Sequence, residues 1–173
     1  MGISTSHPWR LVWTGAALTA ILCLNQFAGL RKMSQVPREK RGSLFAVSER
    51  IMPRTAKETW LFAALAITAG ISEEFLYRGF VFLVFVRMIV NYSAPNTAAA
   101  VLSSVWFAVA HAYQGRRGVI TTFVVGMIFV SVKIWTGSVL PAMVAHAGID
   151  LVAGLCFSQM LRSSSTEDTA HAL

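Results

Sequence analysis

The amino-acid sequence predicts an all-α, polytopic transmembrane helical bundle, and three observations carry that prediction. Of 173 residues, 55% are hydrophobic and only 13% are charged, where a soluble domain carries about a quarter. The apolar residues fall into runs whose length suits a bilayer, about 20 residues per helical span. The charges collect between those runs. About five spans are expected, or six if the long segment 59–90 is broken. At this length one compact unit is expected, organised as an N-terminal span plus basic loop (1–58), a membrane core (59–161) and a disordered polar tail (162–173).

Taken in order, residues 11–30 form the first run, behind a short start with one Arg10. A cleaved signal peptide is the competing reading, but Asn25, Gln26 and Phe27 make a poor small-residue cleavage site, which favours an uncleaved span. Residues 31–58 are the long polar stretch. They carry Arg31, Lys32, Arg38, Lys40, Arg41, Arg50, Arg54 and Lys57 against Glu39, Glu49 and Glu58. Within it, Phe45, Ala46 and Val47 suit contact with a membrane surface. Residues 59–90 are apolar except for one polar motif, and Gly70 and Gly79 are the places where a break would fall. The turn 91–97, "NYSAPNT", is uncharged, and Pro95 is a natural helix stop or restart. Spans over 98–113, 119–135 and 139–161 complete the set.

The net charge is +7. Because the cations sit between apolar runs, the excess fits membrane topology and not a nucleic-acid groove. The positive-inside rule puts the 31–58 loop, the Arg116–Arg117 turn and the C-terminus in the cytoplasm. Lys133, near the outer end of its span, is the exception and reads as an interface anchor that snorkels. Cys23 and Cys156 lie in apolar runs and read as small buried hydrophobes. His7 and His171 are terminal and read as solvated. Met127, Met143 and Met160 read as packing, and Ser103 and Ser104 as helix-packing hydroxyls.

The ionisable residues inside the spans are Glu73, Glu74, Arg78, His111, Lys133, His146 and Asp150. A charge at bilayer depth costs at least about 2.5–3.5 kcal/mol, so such groups pair with one another or line a wet cavity. Glu74 and Arg78, four apart, share a helix face and form a structural ion pair. Glu73 lies about 100° around the helix and is left free. Asp150, four residues after His146, is placed to accept from one ring nitrogen and orient the imidazole. Phe107 shares a face with His111 and walls it off from lipid. A free carboxylate with two imidazoles is equipment for activating water and stabilising an oxyanion. It is also part of a zinc site of the two-His-one-Glu type, which would use Glu73, His111 and His146.

These residues carry a resemblance. The segments "EEFLYRG", "FAVAH" and "HAGID" match, in order, the EExxxR, FxxxH and HxxxN/D motifs of the CPBP family. Its members are the CAAX-protease and bacteriocin-processing membrane proteins, also called the Abi family, and include the type II CAAX prenyl endopeptidases. "TGSVLPAMVAH" is similar to the family's lead-in to its last histidine. The resemblance implies that Glu73 is the general base, and that Glu74 assists it or pairs with Arg78. It implies that His111 and His146 position the water and stabilise the oxyanion. Asp150 stands where many members have Asn. A metal-free, glutamate-based mechanism is favoured by the same resemblance, with zinc as the alternative.

The expected function is therefore intramembrane peptide-bond hydrolysis. The partners would be the lipid bilayer and a peptide or protein substrate, lipidated or membrane-anchored, with no nucleic acid. A non-catalytic binding or immunity module of the same fold, or a small proton-coupled transporter, are the alternative readings. The transporter reading would favour an internal repeat, and none is evident in the sequence.

Overall fold

A computed structural model describes residues 8–36 and 49–170. The expectations placed on His7, on Phe45, Ala46 and Val47, and on His171 lie outside the described residues. The described chain is helical with no strand. Helix α1 spans Pro8–Ser34 and α2 spans Ala56–Glu74; a π-helical segment, Phe75–Val81, then leads into α3, Phe82–Met88. After the turn come α4, Pro95–Ala110, a 3-10 turn, Ala112–Gln114, α5, Gly115–Thr136, and α6, Leu140–Ala170.

Three stretches are long and apolar enough to cross a membrane: Pro8–Ser34, Ala112–Thr136 and Leu140–Gln159. The fourth apolar helix, α4, has only 16 residues. The segment expected over 59–90 is a single rod. Glu74, Phe75, Val81 and Phe82 all keep right-handed helical torsions, so α2, the π segment and α3 run on without a break at Gly70 or Gly79. Helix α6 continues past its apolar part to Ala170, through residues expected to be disordered. Extending a helix that is already nucleated needs only one bond per residue fixed.

Local signals explain where the helices start and stop. Thr55 caps α2 in a capping box with Glu58. The Arg54 backbone N–H, bonded to the Glu58 carboxylate at 2.8 Å, holds that carboxyl below its usual range. Pro95 opens α4, just after Ala94, which sits in the left-handed region (φ 56°). Gly137 closes α5 at φ 72°, a conformation that costs glycine little.

Burial is reversed relative to a soluble protein. Glu74 and Arg78 are 0% and 1% exposed, while Trp60, Trp13 and Trp106 are 79%, 70% and 62% exposed. In water that surface would aggregate; against lipid tails it is ordinary. Trp9 and Trp13 near the start of α1, with Trp135 at the end of α5, mark one interface, and Trp60 at the start of α2 marks the other.

Lipid gives helices no hydrophobic reason to associate, so close packing must come from small residues. Helix α6 packs against both α1 and α2, and α4 packs against α5. Gly15 of α1 lies against Pro141, Gly148 against Thr19, and Gly154 receives the Phe62 ring. Ser103 and Ser104 are buried at the α4 surface, in keeping with a packing role. The tightest backbone approach is at Gly70, where an added Cβ would stand 2.7 Å from the Ala147 backbone nitrogen. Gly70→Ala is therefore expected to push α2 off α6 and cost about 1–3 kcal/mol. Thermal melting in one detergent checks this; a melting point equal to that of the parent protein would mean the two helices do not touch there.

Candidate active site

Gly70 sits one helical turn before Glu74, and Ala147 follows His146. The contact that brings α2 onto α6 therefore carries Glu74 to the His146 ring. Oε1 of Glu74 lies 2.8 Å from Nδ1 of His146 and 2.8 Å from an Arg78 guanidinium nitrogen. Arg78 already donates to that oxygen, so Nδ1 of His146 supplies the proton of the second bond. The sequence expectation of a Glu74–Arg78 pair is met, but the same carboxylate has another task. It orients His146, the part expected of Asp150. The nearest approach of Asp150 to that ring is 3.6 Å, at Nε2, too long for a hydrogen bond. The reason is that Nδ1 is turned towards α2 and away from the next turn of its own helix.

Arg78 is held by aromatic faces as well as by charge. Its guanidinium carbon is 4.1 Å from the Phe107 ring centroid and 5.4 Å from that of Phe129. Gly126 of α5 leaves the room: a Cβ there would lie 3.2 Å from the guanidinium and from Ser104. A desolvated cation over two rings gains from both quadrupoles.

His111 is placed by the end of α4. The last carbonyls of a helix lack intrahelical donors. The His111 ring turns back, and its Nδ1–H donates to the Phe107 carbonyl at 2.8 Å. A carbonyl cannot donate, so this bond fixes the tautomer and leaves Nε2 facing outward. The Phe107 ring stands edge-on to His111 at 4.6 Å, the wall expected from their spacing.

Both histidines thus have Nδ1 tied down and Nε2 directed at one place. Oε2 of Glu73 lies 3.8 Å from Nε2 of His111 and 3.9 Å from Nε2 of His146. Glu73 and Glu74 address opposite nitrogens of the same His146 ring. Glu74 is sealed in, whereas the Glu73 side chain is 33% exposed. Oε2 of Glu73, Oε2 of Glu74, Nη2 of Arg78 and Oγ of Ser104 are buried without a hydrogen-bond partner. Such a concentration of unsatisfied polar atoms suits a site that receives a polar guest.

The donor types at this point are those of a zinc site, but their spacing is wider than one. A tetrahedron with bonds of about 2.0–2.1 Å has edges of roughly 3.3 Å, against the 3.8 and 3.9 Å seen here. Among the described residues no group of three or more His, Cys, Asp or Glu is arranged to hold a metal ion.

The structure brings Glu73, Glu74, Arg78, His111, His146 and Asp150 into one cluster. Sequence reasoning missed Gly126 and Phe129, which build the Arg78 pocket, and the spacing role of Gly70. A glycine in an apolar span is the signal that was available for two of these.

A buried carboxylate–imidazole centre inside a helical bundle with an apolar outer surface defines a class: membrane-embedded proteins with a polar centre inside the bundle. Residues 55–152, more than half of the chain, match the family of type II CAAX prenyl endopeptidase Rce1-like proteins, and the chain belongs to that family. It is an integral membrane protein of a protease family. No curated protein and no solved structure matches it.

Two substitutions separate the carboxylates that flank His146. Glu74→Gln keeps an oxygen for both donors but strands the buried Arg78 charge, an expected loss of about 3–5 kcal/mol. Asp150→Asn, which breaks no short bond, is expected to stay within about 0.5 kcal/mol of the parent. Melting of both variants in the same detergent decides; the reverse order would return the orienting role to Asp150.

Proposed function

We propose that this protein is an intramembrane endopeptidase that uses Glu73 to activate water against a peptide bond of a membrane-anchored substrate. The observation that carries the reading is the convergence of two imidazole Nε2 atoms on Oε2 of Glu73, at 3.8 and 3.9 Å. That spacing is too long for direct hydrogen bonds and suits one water bridging all three groups.

In the proposed cycle, Glu73 takes a proton from the water as its oxygen bonds to the peptide carbonyl carbon. The carbonyl electron pair moves to oxygen, and His111 and His146, when protonated at Nε2, donate to the oxyanion. Collapse of the adduct breaks the C–N bond, and the proton held by Glu73 passes to the leaving amine. Glu74 keeps the His146 ring in register, with Arg78 holding Glu74 in place. Asp150, on the Nε2 side, gives His146 a carboxylate neighbour in its protonated form. The cycle uses these side chains and no metal; in the zinc alternative Glu73, His111 and His146 would be the ligands, and zinc would supply Lewis-acid activation of the water.

The family's description supports a prenylated peptide as the substrate class. We assign the catalytic core to residues 59–161 and the anchor and basic loop to 1–58. The 31–58 loop, the Arg116–Arg117 turn and the C-terminus are assigned to the cytoplasmic side by the positive-inside rule. A thiol-reactive impermeant reagent should then label Arg117→Cys, in a Cys23→Ala/Cys156→Ala background, only from the cytoplasmic side. Labelling from the opposite side alone would invert the topology.

Cleavage of a prenylated peptide by the purified full chain tests the mechanism. Glu73→Gln is expected to leave melting unchanged and to lower turnover by about 10²–10⁴-fold. A chelator is expected to leave the parent rate unchanged; loss of rate with chelator, restored by zinc, would favour the metal alternative. Near-parent turnover by Glu73→Gln would remove Glu73 as the base.

A further inference from the structure

Lys133 is not used by the proposed chemistry. It lies three residues before the end of α5, and it is half-buried, with its ammonium 3.9 Å from the Phe82 ring centroid. A cavity of about 490 Å³ opens beside it between the π segment, α3, α5 and the start of α4. Its polar wall is Lys133, Arg87 and Asn96; Phe75, Leu83 and Ile134 are among its apolar walls. Among the described residues no carboxylate pairs with Lys133 or Arg87.

The three polar residues share one level of the bundle. Arg87 is one residue from the end of α3, Asn96 is in the first turn of α4, and Lys133 is in the last turn of α5. In a membrane that is the headgroup level. The floor then descends along the rod from Arg87 to Phe75, twelve residues, or about 18 Å at helical rise. That depth is comparable with half of a ~30 Å hydrocarbon core. A Cβ at Gly79 would touch only the Phe75 ring, at 3.8 Å, so the floor is open there. Two cations with no carboxylate partner among the described residues, above a long apolar slot, match a molecule with an anionic head and a hydrocarbon chain.

We propose that this groove binds one anionic phospholipid, with its phosphate between Lys133 and Arg87 and an acyl chain along the π segment. The guanidinium offers a planar fork and the ammonium a point charge, which together suit a phosphate with two free oxygens. Asn96 adds a donor to the headgroup. The site is separate from the Glu73 cluster, so the proposal does not depend on the hydrolytic reading.

The test uses the full chain in a neutral detergent, titrated with phosphatidylglycerol or phosphatidylcholine and read by native mass spectrometry. Phosphatidylglycerol should be retained preferentially. Lys133→Gln and Arg87→Gln should each weaken its binding roughly fivefold, whereas Lys133→Arg should retain it. Gly79→Leu, which fills the slot and leaves both cations, should weaken both lipids. Equal retention of the two lipids, or an undiminished preference in the Lys133→Gln/Arg87→Gln double variant, would overturn the proposal. So would displacement by glycerol phosphate at the same concentration, which would assign the site to a soluble phosphate. Displacement by a prenylated peptide would assign it to substrate.

Discussion

One carboxylate oxygen sets the geometry on which the rest of this structure depends. Oε1 of Glu74 accepts from Arg78 on the same rod and from His146, 72 residues away on α6. Putting an acid, a guanidinium and an imidazole out of reach of water is expensive, and a buried pair of this kind rarely adds net stability over apolar packing. It does specify geometry. Once Glu74 is fixed, Arg78 must lie between Phe107 and Phe129, Gly126 must be small, and α4, α5 and α6 must meet the rod at set depths. A half-made network here would be costlier than none, so the helices are tied to one arrangement.

The two adjacent glutamates divide one imidazole between them. Neighbouring residues on a helix point about 100° apart, and the two nitrogens of a histidine ring face different directions. Glu74 takes the inner nitrogen in a dry setting, and Glu73 faces the outer one where the site opens. The same dipeptide therefore supplies one sealed carboxylate and one open one. His111 repeats the scheme with different parts, since a helix-end carbonyl replaces the carboxylate at Nδ1. In both rings the anchored nitrogen decides what the other can do.

Much of this was legible in the sequence, because its signals are local. The apolar runs, a helix boundary at Pro95, the Glu74–Arg78 spacing and the gathering of Glu73, His111, His146 and Asp150 all follow from periodicity, turn chemistry and the cost of burying charge. What was not legible depends on how helices meet. Spacing alone makes Asp150 the natural partner of His146, four residues away; only the close approach at Gly70 gives that ring to Glu74. The π segment is equally silent in the sequence, since no residue type in "FLYRGFV" demands it. Such segments occur often at functional sites, and this one directly follows the glutamates and lines the groove beside Lys133 and Arg87. Gly126 and Phe129 gained meaning only when Arg78 was found between them.

The shortness of α4 has a consequence for where the protein can reside. Its 16 residues reach about 24 Å, while a hydrocarbon core is about 30 Å thick. The bilayer beside α4 must pinch or the helix must sit off-centre, and each ångström of mismatch carries a small energy. His111 closes that short helix, so any thinning at that end falls next to the imidazole. For a helix of this length a thin bilayer carries a smaller mismatch energy than a thick one.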